Sequence, residues 1–85
     1  MNPIFETKAL EFAQSYNQWE YLSVDGLPYR ADIEPDPDDE SYTYVIYYQV
    51  DQANEDNRKG WHYCVTIQNG QVVDVDDHSD DPNGY

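Results

Sequence analysis

Hydrophobic residues near the start of the chain recur at the spacing of an α-helix. Five of them, separated by four, three, four and three positions, fall on one helical face. They are Phe5, Ala9, Phe12, Tyr16 and Trp19. Asn2 can cap the N-terminus, and Pro3 suits the first helical position because no hydrogen bond is lost there. The pattern predicts a helix that ends between Asn17 and Trp19.

Two apolar-rich segments flank an Asp25-Gly26 dipeptide, which is typical of a two-residue β-hairpin turn. The segments are residues 20–24 and 27–33. A turn of that length sets two apolar pairs on one face of the hairpin, so the register agrees with the apolar pattern. The pairs are Val24 with Leu27 and Leu22 with Tyr29.

A run of β-favouring residues between Tyr42 and Val50 predicts a third strand. Both of its faces are substantially apolar, so we expect this strand at the centre of the sheet. The polar residues 51–60 predict a loop, which holds Arg58 and Lys59, two of the four basic residues.

Alternation from Trp61 to Ile67 predicts a fourth strand, and Asn69-Gly70 predicts a turn into a fifth. A three-residue turn with Gly70 in the left-handed conformation pairs Val65 with Val73 and Tyr63 with Val75. A two-residue turn pairs them with Asp74 and Asp76 instead. We expect the three-residue turn, because it collects apolar residues on one side.

Together these elements predict an α+β domain, in which one N-terminal helix packs on an antiparallel β-meander of about four to five strands. We expect one compact domain over residues 1–78 and a polar, acidic C-terminal tail over residues 79–85. The expected buried residues are Phe5, Phe12, Tyr16, Ile46, Val65, Ile67, Val73 and Val75.

The charge of the chain limits its partners. Its 85 residues carry 18 Asp and Glu against 4 Lys and Arg, a net charge of −14. Such a chain lacks the cations that meet phosphates, so we expect no direct binding to nucleic acid or to a membrane. The first ten residues hold no basic region and no apolar run, and Cys64 is the single cysteine. We therefore expect a cytoplasmic protein without a disulfide.

Fourteen of the 18 acidic residues fall in three short stretches. They are Asp32, Glu34, Asp36, Asp38, Asp39 and Glu40; Asp74, Asp76, Asp77, Asp80 and Asp81; and Asp51, Glu55 and Asp56. In an extended backbone the alternate acids of residues 32–38 are about 6.6 Å apart. Two nucleotides of one DNA strand span about 6.8 Å, so this stretch predicts a row of phosphate-like charges.

Catalytic and metal-binding patterns are missing. An EF-hand loop that starts at Asp74 needs Gly and Glu where Ser79 and Tyr85 stand. The two histidines fit no zinc spacing. We expect His62 opposite Asp76 or Asp77 as an exposed structural pair. Cys64 would share its side of the sheet, but nearby acids disfavour the thiolate. We therefore expect no enzyme, no metal and no cofactor.

Nine tyrosines are more than one helix can cover. Partly exposed tyrosines are ordinary on a β-sheet; the alternative is a Tyr-rich surface for a partner or for homodimerisation. Small acidic proteins that inhibit nucleases, restriction systems or CRISPR complexes share this size and charge, and many come from phages or mobile elements. By that analogy we expect a non-enzymatic DNA mimic that occupies the basic site of a nuclease or other nucleic-acid-binding protein. The expected contact residues are Asp32, Glu34, Asp36, Asp38, Asp39, Glu40, Asp74, Asp76, Asp77, Tyr42 and Tyr44.

Two other interpretations remain open. A toxin's immunity protein would also cover a basic active site with acids. An adaptor domain would use its acidic surface only for solubility. Displacement of nucleic acid from a basic partner separates the inhibitor from the adaptor.

Overall fold

One N-terminal helix and a five-stranded antiparallel sheet make up the described part of the chain. The computed structural model describes residues 3–15, 18–51 and 54–78, without the side chains of residues 51–60. The elements are α1 (Ile4–Ala13), β1 (Trp19–Val24), β2 (Leu27–Pro35), β3 (Tyr42–Asp51), β4 (Asn54–Gln68) and β5 (Gln71–Asp77). The strands lie in chain order, with β3 at the centre. The predicted α+β class and central third strand are thus confirmed; residues 79–85 lie outside the description.

Helix α1 is shorter than the apolar spacing predicts. Pro3 is its N-cap, so the helix begins one residue later than expected, while Asn2 and Tyr16 lie outside the described residues. At the other end, the backbone N–H of Ser15 donates to the carbonyl oxygen of Phe12 at 2.9 Å. This bond closes the last turn, and the helix ends at Ala13, four to six residues before the predicted end.

The early end of α1 follows from strand pairing. Trp19 belongs to β1 and lies opposite Asp32, and the N–H of Ile33 donates to the carbonyl of Gln18 at 2.9 Å. These contacts require an extended backbone from residue 18 onward, which overrides the helical spacing of Trp19. The prediction that Trp19 shares the helical face is therefore wrong.

The β1–β2 hairpin has the predicted register. Val24 lies opposite Leu27, and Leu22 lies opposite Tyr29. Asp25 and Gly26 both have positive φ, 53° and 79°, as the two central residues of a type I′ turn require. Local turn chemistry and the apolar pattern agree here, and the structure follows both.

Strand β4 is longer than predicted and contains an irregularity. Its backbone pairs with β3 from Asn54 onward, so the expected loop is wrong for residue 51 and residues 54–60, while residues 52 and 53 lie outside the described residues. Further along, Tyr63 lies opposite Tyr47 and Trp61 opposite Tyr48, which leaves His62 as an extra residue in a β-bulge. The bulge turns His62 inward, where it is 4% exposed.

The surroundings of His62 show that it is not part of the exposed His–Asp pair that the sequence predicts. Its ring lies 6.1 Å from that of Tyr29 and 6.3 Å from that of Tyr63, both on the helix-facing side of the sheet. Its backbone carbonyl accepts a hydrogen bond from the N–H of His78. His62 is therefore buried rather than exposed, and it is not on the same face as Cys64.

The β4–β5 hairpin combines a two-residue turn with a bulge. Asn69 and Gly70 have φ of 52° and 79°, and Ile67 lies opposite Val72. The register then shifts by one residue at Val73, so that Val65 faces Val75 and Thr66 faces Asp74. The predicted three-residue turn is wrong. The bulge, rather than the turn, returns the apolar residues to one side.

The core lies between α1 and one face of the sheet, with Phe5 at its centre. The Phe5 ring is 5.1 Å from that of Tyr29, 4.9 Å from that of Tyr47 and 4.3 Å from that of Tyr63. The buried hydroxyl of Tyr47 donates to the carbonyl of Phe5 at 2.7 Å. One side chain of the sheet thereby holds both the ring and the backbone of the helix.

The predicted core is confirmed in part. Four of the predicted core residues are buried, namely Phe5, Phe12, Val65 and Ile67. Val75 is half-buried and packs against this core. Val73 is 50% exposed because it occupies the bulge. Ile46 is half-buried but alternates with the buried Val45 and Tyr47, which places it on the opposite face. The predicted burial of Val73 and Ile46 is therefore wrong.

Candidate protein-interaction surface

The face of the sheet opposite α1, here called the open face, carries an unusual set of side chains. Helix α1 is the single helix of the described residues, and it packs on the other face. Strand register and alternation place residues of all five strands on the open face. They include Trp19, Tyr21, Ser23, Pro28, Arg30, Asp32, Glu34, Tyr42, Tyr44, Ile46, Tyr48, Trp61, Cys64, Thr66, Gln68, Gln71, Asp74 and Asp76.

Two rows of directly opposed residues cross the open face from β2 to β5. The first row is Asp32, Ile46, Cys64 and Asp76. The second row is Glu34, Tyr44, Thr66 and Asp74. Each row begins and ends with an acid and has less polar residues between them. We call the four acids the acidic flanks and the four residues between them, Tyr44, Ile46, Cys64 and Thr66, the floor.

The dimensions of this arrangement follow from sheet geometry. Three strand spacings separate β2 from β5, so the acidic flanks are about 14 Å apart. Along each flank the two acids are two residues apart, or about 6.6 Å. All four floor residues are half-buried, while Glu34, Asp74 and Asp76 are exposed. The result is a shallow strip of lower polarity between two lines of negative charge.

The pKa of the Cys64 thiol shows that the acidic flanks act on the floor. Burial and, after it in order of size, the negative charges of Asp76, Asp74 and Glu34 together raise this pKa to about 11. Acids from both flanks therefore act on one point of the floor. A thiol with this pKa stays protonated near neutral pH, so it is a small apolar part of the floor rather than a nucleophile.

Arg30 is the one described cation on the open face, and it is held by its neighbours. Its Nε donates to Oδ1 of Asp32 at 2.9 Å, and both side chains are less than one-fifth exposed. The guanidinium also lies 4.6 Å from the ring centroid of Trp19, in a cation–π contact. The Trp19 ring stacks edge-on to Tyr21 at 5.0 Å. Arg30 therefore fixes one end of the β2 flank and neutralises Asp32 in part.

The acids at residues 36–40 form a compact turn instead of continuing the predicted extended row. The Asp36 Oδ1 accepts the N–H of Asp38 at 2.8 Å, and the Asp39 Oδ1 accepts the N–H of Ser41 at 3.0 Å. The hydroxyl of Tyr44 donates to Oδ2 of Asp36 at 2.8 Å, which ties the turn to the floor. These donated hydrogen bonds, that of Asp38 first, lower the pKa of Asp36. The extended backbone ends at Pro35.

The predicted contact residues are thus divided among three places. Asp32, Glu34, Asp74, Asp76, Tyr42 and Tyr44 share the open face. Asp36, Asp38, Asp39 and Glu40 lie in the β2–β3 turn beside it. Asp77 lies opposite Tyr63, on the helix side of the sheet. Sequence reasoning missed Trp19 and Ile46 as neighbours of the acids; the alternation from Trp19 to Tyr21 was the available signal for the first.

A cleft of about 790 Å³ adjoins the β2 flank. It exists because β1 begins opposite Asp32, so that no described strand lies beside Glu34 and Pro35 of β2 on that side. Trp19, Arg30, Asp32 and Glu34 are among its lining residues. The cleft is wide open and continuous with the open face, so it enlarges the same surface.

Comparison of the chain with protein-family models, curated proteins and solved structures gives no match. Over residues 3–15, 18–51 and 54–78, no group of three His, Cys, Asp or Glu side chains is placed to hold a metal ion. Within the same residues, α1 is too short and too polar to cross a membrane. The fold and surface define the chain as a small acidic α+β domain with one open sheet face.

Proposed function

We propose that the protein is a non-enzymatic inhibitor that mimics DNA and occupies the basic nucleic-acid-binding site of a partner protein. The observation that carries the proposal is the pairing of two acidic flanks across one sheet face. Along each flank the acids are about 6.6 Å apart, close to the span of about 6.8 Å for two nucleotides. The flanks are about 14 Å apart, close to the major groove width of about 12 Å.

The floor supplies apolar contact, which charged residues alone do not provide. Exposed ion pairs mainly accelerate association and contribute little affinity each, whereas aromatic and aliphatic contacts carry binding energy. Ile46 and Tyr44 lie between the flanks, and Trp19 is 44% exposed beside them. A basic partner that reaches the flanks therefore also meets apolar surface.

The experiment that tests this proposal is competition for a nucleic-acid-binding site. A fluorescent duplex is bound to each of three purified proteins in turn: a restriction endonuclease, a guide-loaded CRISPR nuclease and a non-specific nuclease. We expect the protein to displace the duplex from at least one of them, with potency that falls as salt is raised. Polyglutamate of equal charge serves as a control for unspecific electrostatic competition.

Two charge-matched variants locate the effect. The flank variant combines Glu34→Gln with Asp74→Asn, and the helix variant combines Glu6→Gln with Glu11→Gln. Both reduce the negative charge equally, but only the first changes the open face. We expect the flank variant to lose on the order of 3- to 10-fold in potency and the helix variant to keep it. The proposal is wrong if the protein displaces the duplex from none of the three, or if the two variants behave alike.

A further inference from the structure

We infer that the partner element that lies on the open face is a basic, amphipathic α-helix, which runs along β3 and β4 between the acidic flanks. This inference rests on the proposed function and adds the kind of structure that the partner presents. The shape of the surface fits a helix, because a strip about 14 Å wide accepts a helix about 10–12 Å in diameter.

Backbone hydrogen bonding limits what can cover a sheet face. The two strands that form the floor, β3 and β4, pair with a neighbouring strand on both sides, so the floor offers side chains and no free main-chain partners. An isolated extended segment placed there would leave its N–H and C=O groups without partners in the contact. A helix satisfies its own backbone and needs only side-chain contact, which is how α1 covers the other face.

Charge complementarity determines the composition of that helix. The acidic flanks, with Glu34 on one side and Asp74 and Asp76 on the other, require Lys or Arg on both sides of the partner helix. The floor between them, with Ile46 and the protonated Cys64, requires an apolar stripe at the bottom. A second copy of this chain does not fit, because it would bring a second net charge of −14 to the surface.

The length of the contact also follows from the register. The floor extends over two cross-strand rows and continues to Tyr42 and Gln68, a third pair on the open face. Three rows at two-residue intervals span about 13 Å along the strands. A helix covers that length with about nine residues, or two and a half turns.

Two fluorescent peptides of identical composition provide the test. Each contains about 16 Ala, Leu and Arg residues, long enough for measurable helicity. In the first, Leu recurs at helical spacing with Arg on both sides; in the second, Leu and Arg alternate as in a strand. We expect the first to bind at least about 10-fold more tightly at low salt, and its far-UV circular dichroism to show a gain of helix on binding.

Two variants separate the floor from the flanks. Ile46→Thr keeps a β-branched residue but removes apolar contact, and we expect about 3- to 10-fold weaker binding of the helical peptide. Thr66→Ser, which removes one methyl group from the floor and keeps the hydroxyl, should have less effect than Ile46→Thr. Unchanged circular dichroism spectra and melting temperatures establish that both variants fold.

The outcomes distinguish this inference from the proposed function. Equal binding of the two peptides, or an Ile46→Thr variant that binds like the original chain, overturns the helix inference. If duplex displacement still succeeds in that case, the mimic proposal stands with a different partner element. If displacement and peptide binding both fail, both proposals are wrong.

Discussion

The position of Phe5 leads to a quantitative expectation for the stability of the domain. Three aromatic rings lie within 5.1 Å of the Phe5 ring centroid, whereas the Phe12 ring has one aromatic neighbour among the described residues, Tyr47, at 6.5 Å. Both phenylalanines are buried on the same helix. Replacing each with Leu keeps most of the apolar area and removes the ring contacts, so the pair isolates the aromatic contribution.

The expected magnitude follows from the number of contacts. Each aromatic pair contributes about 0.5–1.5 kcal/mol beyond its buried area. Phe5→Leu should therefore lower the free energy of unfolding by about 2–3 kcal/mol, and Phe12→Leu by about 1 kcal/mol or less. At about 4–8 °C per kcal/mol for a domain of this size, the two melting temperatures should differ by roughly 5–15 °C.

Urea unfolding followed by far-UV circular dichroism measures both variants under the same conditions. Equal slopes against urea would show that the variants unfold from the same compact state. A loss of stability at Phe12 equal to or greater than that at Phe5 would refute the reasoning, because it would show that ring contacts do not hold the helix on the sheet.

Two further predictions concern titrating groups. At pH 8 the raised pKa makes the Cys64 thiolate about 100-fold scarcer than in the unfolded chain. A thiol of higher pKa is also more nucleophilic, which offsets part of this scarcity, so alkylation of Cys64 by iodoacetamide should be at least about tenfold slower than in denaturant. Equal alkylation rates would contradict the burial of Cys64. Because the pKa of Asp36 is lowered from 3.8, its contribution to stability is present above that value and is lost as the pH falls below it. Tyr44→Phe removes one donated hydrogen bond and should raise the Asp36 pKa in an NMR titration, whereas the Tyr42→Phe control should leave it unchanged.

The first hairpin could be predicted from the sequence because two independent signals agree there. Asp25-Gly26 specifies a two-residue turn, and that turn alone brings Val24 opposite Leu27 with the apolar faces aligned. In the last hairpin the two signals disagree by one residue. The sequence then offers two solutions, a longer turn or a bulge, and local propensity does not select between them. The structure takes the bulge at Val73.

The sequence predicts which stretches of the candidate surface are acidic, but not where their side chains lie on the sheet. Counting acids identifies the stretches that hold Glu34 and Asp74, since charge is a property of composition. Their apposition across the sheet depends on the register of three strand pairs, including the bulge that places Asp74 opposite Thr66. The division between Asp76 and Asp77, on opposite faces, follows from the same register. Face assignment therefore required the structure.

The two outer strands of the sheet differ in how well they resist joining another chain. β5 carries three aspartates in seven residues and a bulge, both of which hinder the addition of a further strand. β1 has six residues, a regular register and a single charge, Glu20, among aromatic and aliphatic side chains. Mutual repulsion between molecules protects this second edge at low ionic strength. Concentrated salt removes that protection, so aggregation of the folded protein would begin backbone to backbone along β1.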